Sequence, residues 1–218
     1  MTQSHYRPRT HMEDPLKLVV RGVNRAHSLW LKCTYPFASI GRKPSIHYTC
    51  QLSRRRANQI HLGDSVILNK DVWLNVVSED VHEVKIFIGD NCAIGRRNTI
   101  TAKNCIHIER NVISGPGVLI QDHAHAFEDV RLPIREQGVT AGGRIRIEEG
   151  CWIGQGAAII CNKGELLIGR NSVIGANAVV TKSFPPNSVI VGIPGRLATR
   201  FDLAKGTWVR SERSGACE

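Results

Sequence analysis

Ile88-Gly89-Asp90-Asn91-Cys92-Ala93 is followed at once by Ile94-Gly95-Arg96-Arg97-Asn98-Thr99. The two stretches are one six-residue pattern written twice: an aliphatic residue, a glycine or small polar residue, two polar residues, a small or branched residue, and one variable residue. The pattern extends backward to Leu62-Gly63-Asp64-Ser65-Val66-Ile67 and Leu68-Asn69-Lys70-Asp71-Val72-Trp73. It resumes at Ile108-Glu109-Arg110-Asn111-Val112-Ile113, then at Ile147-Glu148-Glu149-Gly150-Cys151-Trp152 and Ile153-Gly154-Gln155-Gly156-Ala157-Ala158. It closes with Ile168-Gly169-Arg170-Asn171-Ser172-Val173 and Ile174-Gly175-Ala176-Asn177-Ala178-Val179. A period of six fits neither the 3.6-residue helix nor simple strand alternation. Short strands separated by corners make a coil, and stacked coils bury an aliphatic ladder that one coil could not bury alone. The glycines and asparagines suit corners that need unusual backbone angles.

These hexads resemble those of the hexapeptide-repeat acyltransferases, from about Leu62 to Arg196. The resemblance implies an all-β, left-handed parallel β-helix; the period alone implies a coil and says nothing of its hand. The expected organisation is a cap or first irregular coils over residues 1–59, the β-helix over 60–196 with an inserted loop at 121–144, and a C-terminal extension over 197–218. No counterpart of the helical N-terminal subdomain carried by sugar-specific relatives stands out. One short helix is expected in the tail after Arg200.

The hexads stop after Ile120 and return near Ile145, and the gap holds Asp122-His123-Ala124-His125-Ala126-Phe127-Glu128-Asp129. Long excursions from a regular scaffold are usually functional or disordered. A hydroxyl attacks a thioester only once its proton is removed, and an imidazole can take that proton near neutral pH and return it to the leaving thiolate. The resemblance implies a catalytic histidine at the start of this loop. Counting from the preceding hexad puts it at His125, with His123 as the other candidate. Asp122, Glu128 or Asp129 could orient the imidazole or be plain surface carboxylates, and Asp122 is also a candidate for the substrate pocket. His61 and His107, at variable hexad positions, are expected to face solvent.

The resemblance further implies an acetyl-CoA groove between neighbouring β-helices of a homotrimer. Its matching residues here are Gly154, Gln155, Ala176, Thr181, Lys182 and Arg196, with Trp152 beside the acceptor pocket. Gly154 and Ala176 would let the thin pantetheine arm approach. Phe184-Pro185-Pro186-Asn187-Ser188-Val189-Ile190-Val191-Gly192-Ile193-Pro194-Gly195-Arg196 resembles the family's closing signature. The expected activity is O-acetyl transfer from acetyl-CoA to a hydroxyl of a sugar or surface-polysaccharide precursor, with no metal.

Composition agrees with this reading. The 218 residues suit one domain with small extensions. A net charge of +10 suits a polyanionic partner such as CoA. Arg54-Arg55-Arg56 lacks interleaved aromatics, so nucleic acid is not the expected partner. The seven cysteines form no C-x-x-C pair, which argues against a disulfide framework or zinc cluster and for a reducing compartment. No apolar run is long enough to span a bilayer and the N-terminus has no signal-like apolar core, so the expected location is cytoplasmic. Two other readings remain at this stage. One is a trimeric β-helix carbonic anhydrase with zinc on His107, His123 and His125; the other is a non-catalytic binding scaffold.

Overall fold

The computed structural model describes residues 15–78, 80 and 82–210, so His5, His11 and Cys217 lie outside the described residues. The hexads fold into a three-faced parallel β-helix. The first face stacks Ser39–Ile40, Ile60–Leu62, Ile86–Ile88, Cys105–Ile108, Gly142–Ile147 and Lys163–Ile168. The second face begins with Ser45–Ile46, Ile67–Leu68, Ala93–Ile94, Ile113–Ser114, Trp152–Ile153 and Val173–Ile174. The third stacks Gln51–Leu52, Trp73–Val76, Thr99–Ala102, Leu119–Gln121, Ala158–Ile160 and Val179–Val180. Within these stacks every pairing is parallel and like pairs with like: Leu62 with Ile88, Ile88 with Ile108, Ile108 with Ile147, Ile147 with Ile168.

Two residues of each hexad build the core. The first-position aliphatics Leu62, Ile88, Ile108, Ile147 and Ile168 are fully buried, as are the fifth-position Val66, Cys92, Val112, Ala157 and Ala178. Burying both leaves a narrow interior in which a small residue must sit beside a large one, so position five is mostly valine, cysteine or alanine, with buried Asn98 and Ser172 as polar exceptions.

The glycines divide differently from the sequence expectation. Left-handed backbone falls at the fourth position, at Asn91 (φ 56°), Arg97 (φ 57°), Asn111 (φ 60°), Gly156 (φ 68°) and Asn177 (φ 56°). Asparagine and glycine tolerate this conformation best. The second-position glycines are instead places of close approach. A Cβ on Gly95 would lie 2.2 Å from the Gly115 carbonyl oxygen of the next coil.

The coils begin earlier than residue 60. Ile40, Ile46 and Leu52 stand in register with Leu62, Leu68 and Leu74, so a complete coil precedes the expected start. Before it runs helix α1 (Pro15–Thr34), which the sequence reading did not anticipate. Pro15 opens it, as suits a first helical residue whose N–H has no acceptor. The tail also differs from expectation. In place of a short helix, Ser188–Val191 returns along the second face and pairs antiparallel with Arg196–Asp202, which pairs antiparallel with Thr207–Arg210. Alternating side chains such as Phe201 and Trp208, whose rings meet edge to face at 5.5 Å, favour a hairpin.

Departures from the six-residue step collect at one corner, between the third face and the first. Arg54–Gln59 occurs there, as do residues 121–141. The other two corners keep the hexad turn, so the stack stays continuous while one edge carries the loops.

Candidate active site

Asp122 and His123 sit where the chain leaves the strand Leu119–Gln121. The Asp122 side chain is fully buried. Its carboxylate accepts backbone N–H bonds from Lys103 (2.7 Å), Asn104 (2.8 Å) and Cys105 (2.9 Å), the residues turning the same corner one coil earlier. With three amide donors, Asp122 is an anchored acceptor. His123 Nδ1 lies 3.0 Å from Asp122 Oδ1, so Nδ1 carries the hydrogen and Nε2 is left with a lone pair. Only 8% of the His123 side chain reaches solvent. Asp122, expected beside the substrate, is buried in this chain and its carboxylate faces the imidazole of His123.

His125 is exposed, and its Nδ1 lies 3.3 Å from the Gly138 carbonyl oxygen. A carbonyl only accepts, so this ring too is held with Nε2 free. The loop closes on itself around that contact. Thr140 N–H donates to Ala124 O, Ala126 N–H to Gly138 O, and Ala124 N–H to the Thr140 hydroxyl. Farther out, the Gln137 amide donates to the Asp129 and Leu132 carbonyls. Arg131 binds Asp129 at 2.8 Å and holds that carboxyl below the usual carboxylate range. The Glu128 carboxylate accepts from Phe127 N–H, so neither acid is hydrogen-bonded to an imidazole. The outer loop turns Phe127, Val130, Leu132 and Ile134 into solvent.

Thr181 and Lys182 leave the strand Val179–Val180 at this same corner, two coils along the stack from His123, a distance of about 10 Å. Both are exposed, and Lys182 Nζ stands 5.8 Å over the Phe184 ring, which fixes its direction. The turn Gly192–Gly195 bonds to Val179 from both sides and stacks on the turn between the second and third faces, so exposed Arg196, paired with Val191, stands at that other corner. Gln155 and Ala176 are exposed at this same corner, between the second and third faces, and Trp152 is half-exposed on the second face. Within one chain the residues expected to form a single groove therefore stand on two separate edges. Gly154, expected in the groove, faces the next coil in this chain. It is buried, and a Cβ there would lie 2.6 Å from the Ala176 backbone nitrogen, so its missing side chain serves coil stacking.

His61 and His107 do not simply face solvent. They sandwich Phe87 on the outer surface of the first face, with ring centroids 4.1 Å and 4.2 Å away. Among the described residues, no group of three or more His, Cys, Asp or Glu side chains is arranged to hold a metal ion. Among them, too, no helix is long and apolar enough to cross a membrane.

No protein-family model matches the chain. It is 29% identical over 166 residues to a probable acetyltransferase of Mycobacterium tuberculosis, covering 76% of this chain and 50% of the relative. It is 36% identical over 130 residues to the galactoside O-acetyltransferase of Escherichia coli, covering 60% of this chain and 61% of the relative. The chain thus spans about half to three fifths of the length of these curated relatives. A crystal structure of a hexapeptide-repeat-containing acetyltransferase from Vibrio cholerae, complexed with acetyl coenzyme A, superposes with a TM-score of 0.58 at 21% identity, covering 86% of this chain and 84% of that one. The fold is the left-handed parallel β-helix that the resemblance implied, and the resemblance to hexapeptide-repeat acetyltransferases holds in sequence and in fold.

Proposed function

We propose that this protein is an acetyl-CoA-dependent O-acetyltransferase acting on a sugar hydroxyl, with His123 as the general base. The observation that carries the assignment is the Asp122–His123 pair at 3.0 Å, at the corner that also presents Thr181 and Lys182. Hexad counting favours His125 over its neighbour. We prefer His123 because a buried, amide-anchored carboxylate orients its ring, whereas His125 has only a carbonyl acceptor. His125, exposed on the same loop, is assigned to contact with the acceptor.

In the proposed reaction, His123 Nε2 takes the hydroxyl proton as the sugar oxygen attacks the thioester carbon. The tetrahedral intermediate collapses by breaking the C–S bond, and the CoA thiolate takes the proton back from the imidazolium. The products are the acetyl ester and free CoA. A positioned base of this kind contributes about 10²–10⁴-fold. Lys182 and Thr181 of one chain, with Arg196 of a neighbouring copy, are assigned to the phosphates and adenine end of CoA, and Gln155, Ala176 and Trp152 to the groove wall that the same neighbour supplies. The separation of the two corners within one chain supports a shared site, and the exposed Phe127, Val130, Leu132 and Ile134 of the loop suit contact with that neighbour. The family's trimer is the assembly that fits, and we place the protein in the cytoplasm, where acetyl-CoA is made. The similarity to a galactoside O-acetyltransferase supports a sugar acceptor, free or within a surface-polysaccharide precursor.

The test is thiol release from acetyl-CoA with a panel of sugars and glycans. Acceptor-dependent release is expected, falling by about 10²-fold or more in His123→Ala and by much less in His125→Ala. The opposite order would return the base to His125. Absence of release with every acceptor, or acceptor-independent release alone, would overturn the reading.

A further inference from the structure

Helix α1 takes no part in the proposed chemistry, and most of its surface is uncovered. Its second half is fixed to the coils. Leu31 enters the core, the Ser28 hydroxyl accepts Ile46 N–H at 2.8 Å and donates to Asn24 O at 2.7 Å, and Lys32 Nζ donates to Gly41 O at 2.9 Å. These contacts set the rotation of a helix about 30 Å long.

Its uncovered surface divides into two stripes. Arg21, Arg25 and Lys32 stand at i, i+4 and i+11, on one side of the helix. With Lys43 of the first coil they line a cleft between helix and coils, and no acidic side chain lines it. Beside them Leu16, Leu18, Val19, Val23, Leu29 and Trp30 are between 46% and 74% exposed. Among its 20 residues the helix has no aspartate or glutamate.

We propose that α1 binds in the plane of an anionic lipid bilayer. The aliphatic stripe with Trp30 enters the boundary between headgroups and acyl chains, and Arg21, Arg25, Lys32 and Lys43 meet the lipid phosphates. Charge selects this occupant. Two α1 helices packed along their apolar stripes would bring rows of cations close together with no acid on either helix. An anionic bilayer supplies countercharge and apolar interior in one surface. The helix is not apolar enough to cross, so it lies on the membrane. This inference is independent of the acetyl-transfer reading.

Co-sedimentation of the full chain with vesicles tests it. The chain is expected to pellet with mixed phosphatidylglycerol–phosphatidylcholine vesicles, far less with phosphatidylcholine alone, and less as salt is raised. Arg21→Glu/Arg25→Glu and, separately, Val19→Asp/Val23→Asp should each weaken binding by more than about tenfold, with unchanged circular dichroism and thermal unfolding. Failure to pellet with the mixed vesicles would overturn the proposal, as would binding indifferent to both pairs. A change of oligomeric state in Val19→Asp/Val23→Asp with vesicle binding intact would also overturn it, and would assign the stripe to a second copy.

Discussion

The Asp122 carboxylate joins two coils, because its three amide donors belong to residues 103–105 and its partner is His123. Its contribution to the proposed reaction is therefore orientation and charge, without contact to the substrate. Asp122→Asn should lower kcat while leaving KM for acetyl-CoA near the parent value, since the CoA-facing residues assigned above lie elsewhere. Steady-state kinetics in both substrates measures this split. A KM effect alone would show that Asp122 only shapes the corner. The sequence made the DHAH cluster visible, because two histidines beside acids interrupt an otherwise regular repeat. It did not reveal which ring had the carboxylate, because burial of Asp122 depends on the corner one coil earlier, 17 to 19 positions back. Gly154 shows the same limit. A glycine that admits a ligand and one that admits the next coil look alike until the neighbour at 2.6 Å is known.

Among the elements, the outer ladder of the first face makes a distinct prediction. His61 and His107 stack on Phe87, and burial pushes both imidazoles below their ordinary value. Asp90 partly opposes this at His61; at His107, Arg146 adds to it and Glu109 opposes it. In the unfolded chain both rings titrate near 6.5. Between the lowered folded value and 6.5 the unfolded chain binds more protons, so stability is fully present above about pH 6.5 and falls as pH drops through that window. Thermal unfolding followed from pH 7.5 downward should show a decline that His61→Gln/His107→Gln flattens; an equal slope in parent and variant would remove this pair as its source. The strands of this face were legible from their hexads. Helix α1 segregates aliphatic from basic residues at the helical period, but the aliphatic stripe faces solvent, so the pattern does not mark the side that docks on the coils. Among the described residues of the helix only Ser28 and Leu31 are buried, and that depends on docking against Ile46.

For the whole molecule, the collection of excursions at one corner has the larger consequence. Six coils keep two corners uniform and devote the third to the histidine loop, so one chain holds His123 and His125 on one edge and Gln155 and Ala176 on another. The repeat made the stack legible from about Leu62 onward. The separation of the edges was not legible, because it follows from which face each hexad joins, and that phase is reset by every insertion. In the proposed trimer each site takes its base from one copy and its groove wall from the next. Co-expression of two differently tagged chains, His123→Ala and Ala176→Trp, with thiol release measured on the doubly tagged assemblies, tests that architecture and the acetyl-transfer chemistry together. Each single variant should be nearly inactive alone, and the doubly tagged assemblies should recover about a third of parent activity, because each mixed trimer has one interface of its three that combines the intact base of one chain with the intact wall of its neighbour. Mixed assemblies no more active than the two parents would contradict the shared site.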